Sequence, residues 1–272
     1  MTTAFQDSTH TKSHRNSMIS PRKSHKHRFI LVFWLLLLML AGPLWMLLFG
    51  PINLHANWRT ASQKSAGIVD TNKYPKQSRV LVFAGRAFSW RGAFAVHTWI
   101  AIRKAGNQQF TVYQVVGWRA WMGRSAIVIE QAAPDREWYG NKPFVLADIH
   151  GPLADQAIEH LTRAVAKYPY PRKYWLWPGP NSNSFTAYLL RQTPELTAAL
   201  PATALGKDYL INNHFWAPTP SNSGYQLSFF GIFGLTLARK EGFEINIMGL
   251  VIGLNWQQKA LTIPGIGAIS WG

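Results

Sequence analysis

The chain has 272 residues, a formal charge of +16, thirteen tryptophans and no cysteine. Disulfides, thiolate metal centres and a cysteine nucleophile are excluded, and the length admits one large domain or two small ones.

Residues 1–28 are polar, with Lys12, Arg15, Arg22, Lys23, Lys26 and Arg28 against a single acid, Asp7. His10, His14, His25 and His27 follow no regular ligand spacing, so the stretch reads as a solvated tail with no metal and no other cofactor. Phe29 to Phe49 (FILVFWLLLLMLAGPLWMLLF) carries no charge. It is long enough to cross a bilayer as a helix, which takes about 20 apolar residues. It exceeds a signal-peptide h-region, and no A-x-A-like site closely follows. Six bases precede it, while only Arg59 and Lys64 follow nearby. The positive-inside rule then places residues 1–28 in the cytoplasm and the remainder outside, as in a single-pass inner-membrane protein with a periplasmic domain. Beyond the lipid around its anchor, such a basic domain faces anionic headgroups or acidic envelope polymer, and nucleic acid is not an expected partner.

Residues 50–78 lack periodicity and read as a linker, or a loosely held arm, between membrane and domain. The domain expected over 79–272 begins with a β-branched and aromatic strand, Arg79 to Ala84. Strands follow over Phe94–Arg103, Phe110–Trp118 and Ser125–Gln131, giving an antiparallel meander. Alternation in the second puts His97, Trp99 and Ala101 on one face and Thr98, Ile100 and Ile102 on the other. The loop 133–141 holds Asp135, Arg136 and Glu137, read as a surface ion-pair network. From Pro152 to Lys167 the apolar period becomes helical through Leu153, Ala157, Ile158, Leu161 and Val165. The proline-rich aromatic stretch YPYPRKYWLWPGPNSNSF (168–185) cannot be helical, and it delivers Asn181, Ser182 and Ser184 to the start of a further helix. From residue 224 the chain turns to strand again, as two long strands, Leu227–Ala238 and Ile245–Leu254, joined at Arg239–Gly242. Gly231, Gly234, Gly249 and Gly253 then mark bulges or close contacts. This β-rich hairpin packs on the domain or, alternatively, touches lipid with an apolar face. The fold class is α+β: an antiparallel sheet with packed helices, a β-rich C-terminal hairpin and one N-terminal transmembrane helix.

A nucleophile needs a base in reach and a group to orient that base. Ser182 at a helix start is the candidate nucleophile, His97 the candidate base and Gln114 on the neighbouring strand the orienting group. The bland alternative for Ser182 is a helix cap. Asn181, Tyr170, Trp175 and Trp177 are candidate binding residues, on an aromatic loop that includes Tyr168 and Tyr174.

The order of a strand opened by His97 (HTWIAI), a polar third strand, a helix, YPY and Asn181-Ser182-Asn183-Ser184-Phe185 resembles circularly permuted NlpC/P60 papain-like proteins. The likeness covers about Val80 to Leu196. It implies a papain-like fold in which His97 is the base, Ser182 stands where those families have cysteine, and Gln114 falls near the third polar position. The implied reaction is hydrolysis or acyl transfer at an amide or ester of envelope material. Serine for cysteine departs from the pattern, because a hydroxyl ionises far less readily than a thiol. The implied alternative is a degenerate, non-catalytic envelope-binding module. The WYGN (138–141) and PGPNSNSF segments also resemble a bacterial membrane family known only as a domain of unknown function (3750), which brings no activity.

Overall fold

The computed structural model describes Met1 and residues 25–272, with side chains from Arg28 onward. Two compact units divide at Leu36/Leu37. Helix α1 (His25–Phe49) carries a 22-residue stretch, Arg28–Phe49, long and apolar enough to cross a membrane. Its leucines and phenylalanines are mostly exposed, whereas Met39 and Met46 are buried. The basic tail expected over 1–28, with His10 and His14, lies almost wholly outside the described residues.

A five-stranded antiparallel sheet forms from β1 (Arg79–Arg86), β2 (Val96–Arg103), β3 (Thr111–Val115), β4 (Ile127–Gln131) and β5 (Phe144–His150), in the order β4-β3-β2-β1-β5. The first four make the expected meander. A short helix, α2 (Gly117–Trp121), replaces the end of the expected third strand. β5 returns to the open edge of β1, where Arg79 clasps Asp148 with two charge-assisted bonds of 2.8 and 2.7 Å. The alternation of β2 holds as read. Ile100 and Ile102 join the core beneath helices α3 (Pro152–Ala166) and α4 (Ser182–Arg191), while Trp99 and Ala101 join a second core on the opposite face.

Why α3 and α4 sit where they do follows from their spacing. Ala157, Ile158, Leu161 and Val165 are buried as expected and Ala154 joins them, whereas Leu153, expected on the same face, is exposed. Pro152 occupies the first turn, where its missing N–H costs nothing. Phe185 and Leu189 of α4 are fully buried against the same sheet, each contributing about 1.5–3 kcal/mol.

The stretch read as a linker or a loosely held arm is tied down in part. Asp135, fully buried, accepts hydrogen bonds from Ser65 Oγ (2.6 Å), Ile68 N (2.8 Å) and Val69 N (3.2 Å). Asp135 is therefore a buried anchor for that arm and not part of a surface ion-pair network. Arg136 does pair with Glu130 at 2.7 Å.

The C-terminal region corrects the two-strand reading. It is a seven-stranded antiparallel meander of β6 (Trp216–Pro218), β7 (Gly224–Phe229), β8 (Phe233–Ala238), β9 (Gly242–Ile247), β10 (Leu250–Asn255), β11 (Ala260–Ile263) and β12 (Gly267–Ser270). Each expected long strand is folded into a hairpin, at Phe230-Gly231 and at Met248-Gly249, where all four residues have positive φ. Two successive positive φ values are what the two-residue turn at Met248-Gly249 requires, with glycine supplying the second without strain, while the Phe229↔Phe233 register leaves three residues, 230–232, in the other turn. This sheet is inverted relative to an ordinary half-buried one. Gln226, Ser228, Glu244 and Asn246 point inward and are buried, while Leu227, Phe229, Leu235 and Leu237 are exposed. The inward polar groups surround Lys207 and Asp208, so the loop expected over 206–209 is an interior plug.

Candidate functional site

Asn181 is the N-cap of α4, and its Oδ1 accepts from the backbone N–H groups of Asn183 and Ser184, both at 3.0 Å. Ser184 Oγ returns the favour to Asn181 N at 2.8 Å, completing a reciprocal capping pair. Asn181 Nδ2 donates to the carbonyls of Leu176 (3.1 Å) and Leu205 (3.0 Å). Asn183 Nδ2 donates to Val96 O and Leu205 O, both at 2.9 Å, and Thr98 Oγ1 donates to Asn183 Oδ1 at 3.0 Å. The helix start is thus riveted to β2 and to the 205–206 loop by its two asparagines.

Ser182 follows the cap as the first helical residue and is nearly buried. Its hydroxyl hydrogen-bonds no described residue. His97 and Gln114 are brought together, with Nε2···Oε1 at 3.0 Å. His97 lies flat on Trp138, with ring centroids 3.5 Å apart and an interplanar angle of 4°. Gln114 Nε2 reaches Glu130 at 3.3 Å, so the Gln114 amide is oriented as well. Burial, with Arg136 adding to it, pushes the His97 imidazole down to about 3 despite the opposing hydrogen bond from Gln114. The imidazole is neutral at pH 7.

The structure does not join Ser182 to His97 by a hydrogen bond. Thr98 faces α4, and the next residue back, His97, faces the other side of the sheet, as strand alternation requires. Among the described residues His97 Nδ1 has no hydrogen-bond partner either. Backbone N–H groups at a helix start can serve as oxyanion donors, but those of residues 183 and 184 are taken by Asn181.

Of the binding candidates, Trp175 is 64% exposed. Trp177 packs against Gly249, where an added Cβ would lie 2.9 Å from its indole nitrogen. Tyr170 is partly buried beside Tyr209 and accepts from Asn212 N at 3.2 Å. Tyr168 is buried against Phe185. Much of the loop is a staple. Two indoles that the sequence reading passed over extend the exposed set: Trp118 and Trp121 of α2, three residues apart on one helix face. Tyr174 ties them to the loop, stacking edge-on to Trp121 at 6.3 Å and lying directly over Gly117. Two surface hollows, one including Lys104, Asp155 and Arg163 and the other Arg119, Glu130 and Val165, involve neither Ser182 nor His97. Among the described residues, no group of three His, Asp or Glu side chains is placed to hold a metal ion.

Residues 77–209 match the model of a family described as Protein of unknown function (DUF3750). That segment is a DUF3750 domain. It takes in the five-stranded sheet, α2 to α4 and the Lys207–Asp208 plug, and stops short of the C-terminal meander. Comparison with curated proteins gives no match, and comparison with solved structures gives none.

Within the DUF3750 segment Asn181 has the greatest number of fixed bonds. Asn181→Ala is expected to lower stability by about 1–2 kcal/mol for the cap alone, with a further loss for the two carbonyls left unpaired. Asn181→Asp keeps the acceptor but loses both donated bonds, so its denaturation midpoint should fall between the two. Urea titration of the three full-length chains in one detergent checks the order.

Proposed function

We propose that the protein is a membrane-anchored binding module of the cell envelope, whose ligand surface is the aromatic rim formed by α2 and the 168–180 loop. The observation that carries this reading is the set of exposed indoles, Trp118, Trp121 and Trp175, of which Trp121 lies edge-on to the packed Tyr174 and Trp118 edge-on to Tyr139. A sugar ring offers an apolar C–H face for such indoles, and Arg91, whose charge acts on Tyr174, suits an acidic substituent. The ligand class is therefore an anionic envelope saccharide. Sedimentation of the full-length protein with insoluble envelope polymer tests it. Loss of co-sedimentation in a Trp121→Ala/Trp175→Ala double variant, with Ser182→Ala unaffected, is the expected result. Equal sedimentation of the double variant would remove the reading.

A second reading is favoured by a different observation: among the described residues neither Ser182 Oγ nor His97 Nδ1 has a hydrogen-bond partner, while Gln114 fixes the other nitrogen of the imidazole. In it, Ser182 attacks an ester or amide carbonyl, its hydroxyl proton passes to the leaving group by way of water and the His97 imidazole, which lies on the other face of the sheet, and a second water releases the acyl-serine. Gln114 holds the imidazole. The likeness to permuted NlpC/P60 proteins belongs to this reading and rests on motif order. Labelling by a fluorophosphonate that disappears in Ser182→Ala would establish it over the first.

A further inference from the structure

The meander β6–β12 has its polarity reversed. Its inner face is committed to Lys207, Asp208 and Arg191, which Glu244, Asn246 and Gln226 satisfy. Its outer face presents Leu227, Phe229, Leu235, Leu237, Ile252 and Leu254 to the surroundings, and each is exposed. A monomer in water rarely shows a contiguous apolar surface beyond a few hundred Å². Seven adjacent strands carrying alternate apolar residues, at about 4.8 Å between strands, exceed that.

Helix α1 identifies the occupant. The backbone of Gly42 is pressed against Pro264 in the β11–β12 turn, where an added Cβ would lie 2.0 Å from the Pro264 carbonyl oxygen. Pro43 in turn meets Gly265. These contacts fall seven residues before the end of α1 at Phe49, a depth of about 10 Å along the helix. A span needs about 20 residues, so α1 can cross a bilayer only if its packed part, from Leu37 to Phe49, is also in hydrocarbon. The β11–β12 turn then lies at that depth. The ends of the sheet agree. The turns on the α1 side carry Phe230, Met248 and Pro264, while those at the other end carry Arg239, Lys240 and Lys259.

We propose that the outer face of β6–β12 is seated in the apolar layer of the bilayer that α1 crosses. The Phe230 and Met248 turns, at the same end of the sheet as the Pro264 turn that meets Gly42, reach inward, and the Arg239, Lys240 and Lys259 end stays at the headgroups. Backbone polarity is no obstacle along the ladder, because every interior strand is paired on both sides. The inference shares only the membrane anchor with the functional reading above, and a label on α1 tests that anchor separately.

Because the chain has no cysteine, single spin labels can be placed cleanly. Leu235→Cys, Leu38→Cys and Glu159→Cys, all at exposed positions, are labelled in the full-length protein and reconstituted in lipid nanodiscs. Relaxation by oxygen and by a water-soluble nickel chelate is then compared. The Leu235 and Leu38 labels should be open to oxygen and shielded from the chelate, with Glu159 the reverse. A Leu235 label as open to the chelate as Glu159 overturns the proposal, and a shielded Leu38 label in the same series shows that the anchor stands without it. Shielding of Leu235 that needs two chains per disc, with spin–spin broadening between labels, also overturns it and assigns the face to a second copy.

Discussion

Lys207→Met should destabilise the full-length protein by about 3–5 kcal/mol, among the largest effects of any single side chain here. Lys207 is fully buried, with its ammonium 2.5 Å from Glu244 and 3.7 Å from Asp208. Burial opposes its charge, but Asp208 and Glu244 together outweigh that and raise its pKa, so the lysine stays protonated. Methionine fills the stem volume and removes only the charge. Two carboxylates would then be left under the sheet with the Arg191 guanidinium as the remaining cation near them. The cost is that of an uncompensated buried charge, which exceeds what the intact pair contributes. Adding Glu244→Gln to Lys207→Met should recover part of the loss by removing one of the stranded charges. Denaturation monitored by near-UV circular dichroism, with its many tryptophan bands, checks both variants. A Lys207→Met chain as stable as the parent would mean that the plug is hydrated and not a sealed network.

That network also marks where sequence reading reached its limit. The helical period of 152–167 and the alternation of β2 were legible because each buries a single continuous face. The His97–Gln114 bond was legible from strand order, since the register Ile100↔Tyr113 sets Gln114 beside Trp99 on the His97 face. β5 was missed because Phe144–His150 is half exposed and alternates poorly. The C-terminal strands were read at twice their length because Phe230 and Met248 look like strand residues, and only their glycine partners signal a turn. The inversion of that sheet could not be read at all: alternation reports two faces without saying which one the protein keeps. The same ambiguity governs the candidate site. Alternation separated His97 from Thr98, but the side that α4 would cover was set by long-range packing through Asn183 and Phe185. Trp138, which seals His97, arrives from a loop whose position no local pattern encodes.

Acid should weaken the protein through His97 more than through any other described histidine. In the unfolded chain the imidazole titrates at about 6.5, and in the folded chain at about 3. Between these values the unfolded state binds the extra proton, so stability rises with pH across the window and is lost as pH falls through it. Above pH 6.5 the residue is neutral in both states and contributes no slope. At pH 5 the penalty is about 2 kcal/mol, at 1.36 kcal/mol for each unit below the unfolded value. His97→Gln removes the titration, so the difference in unfolding free energy between parent and variant should shrink steadily from pH 7 to pH 4. A constant difference would place the ring in water and not under Trp138. The same depressed value bears on the second functional reading. A base that holds its proton only below about pH 3 is in the right form at neutral pH, yet it draws a serine proton weakly. Any Ser182-dependent rate should then stay flat from pH 7 down to pH 5, whereas an ordinary histidine base would lose most of its activity there.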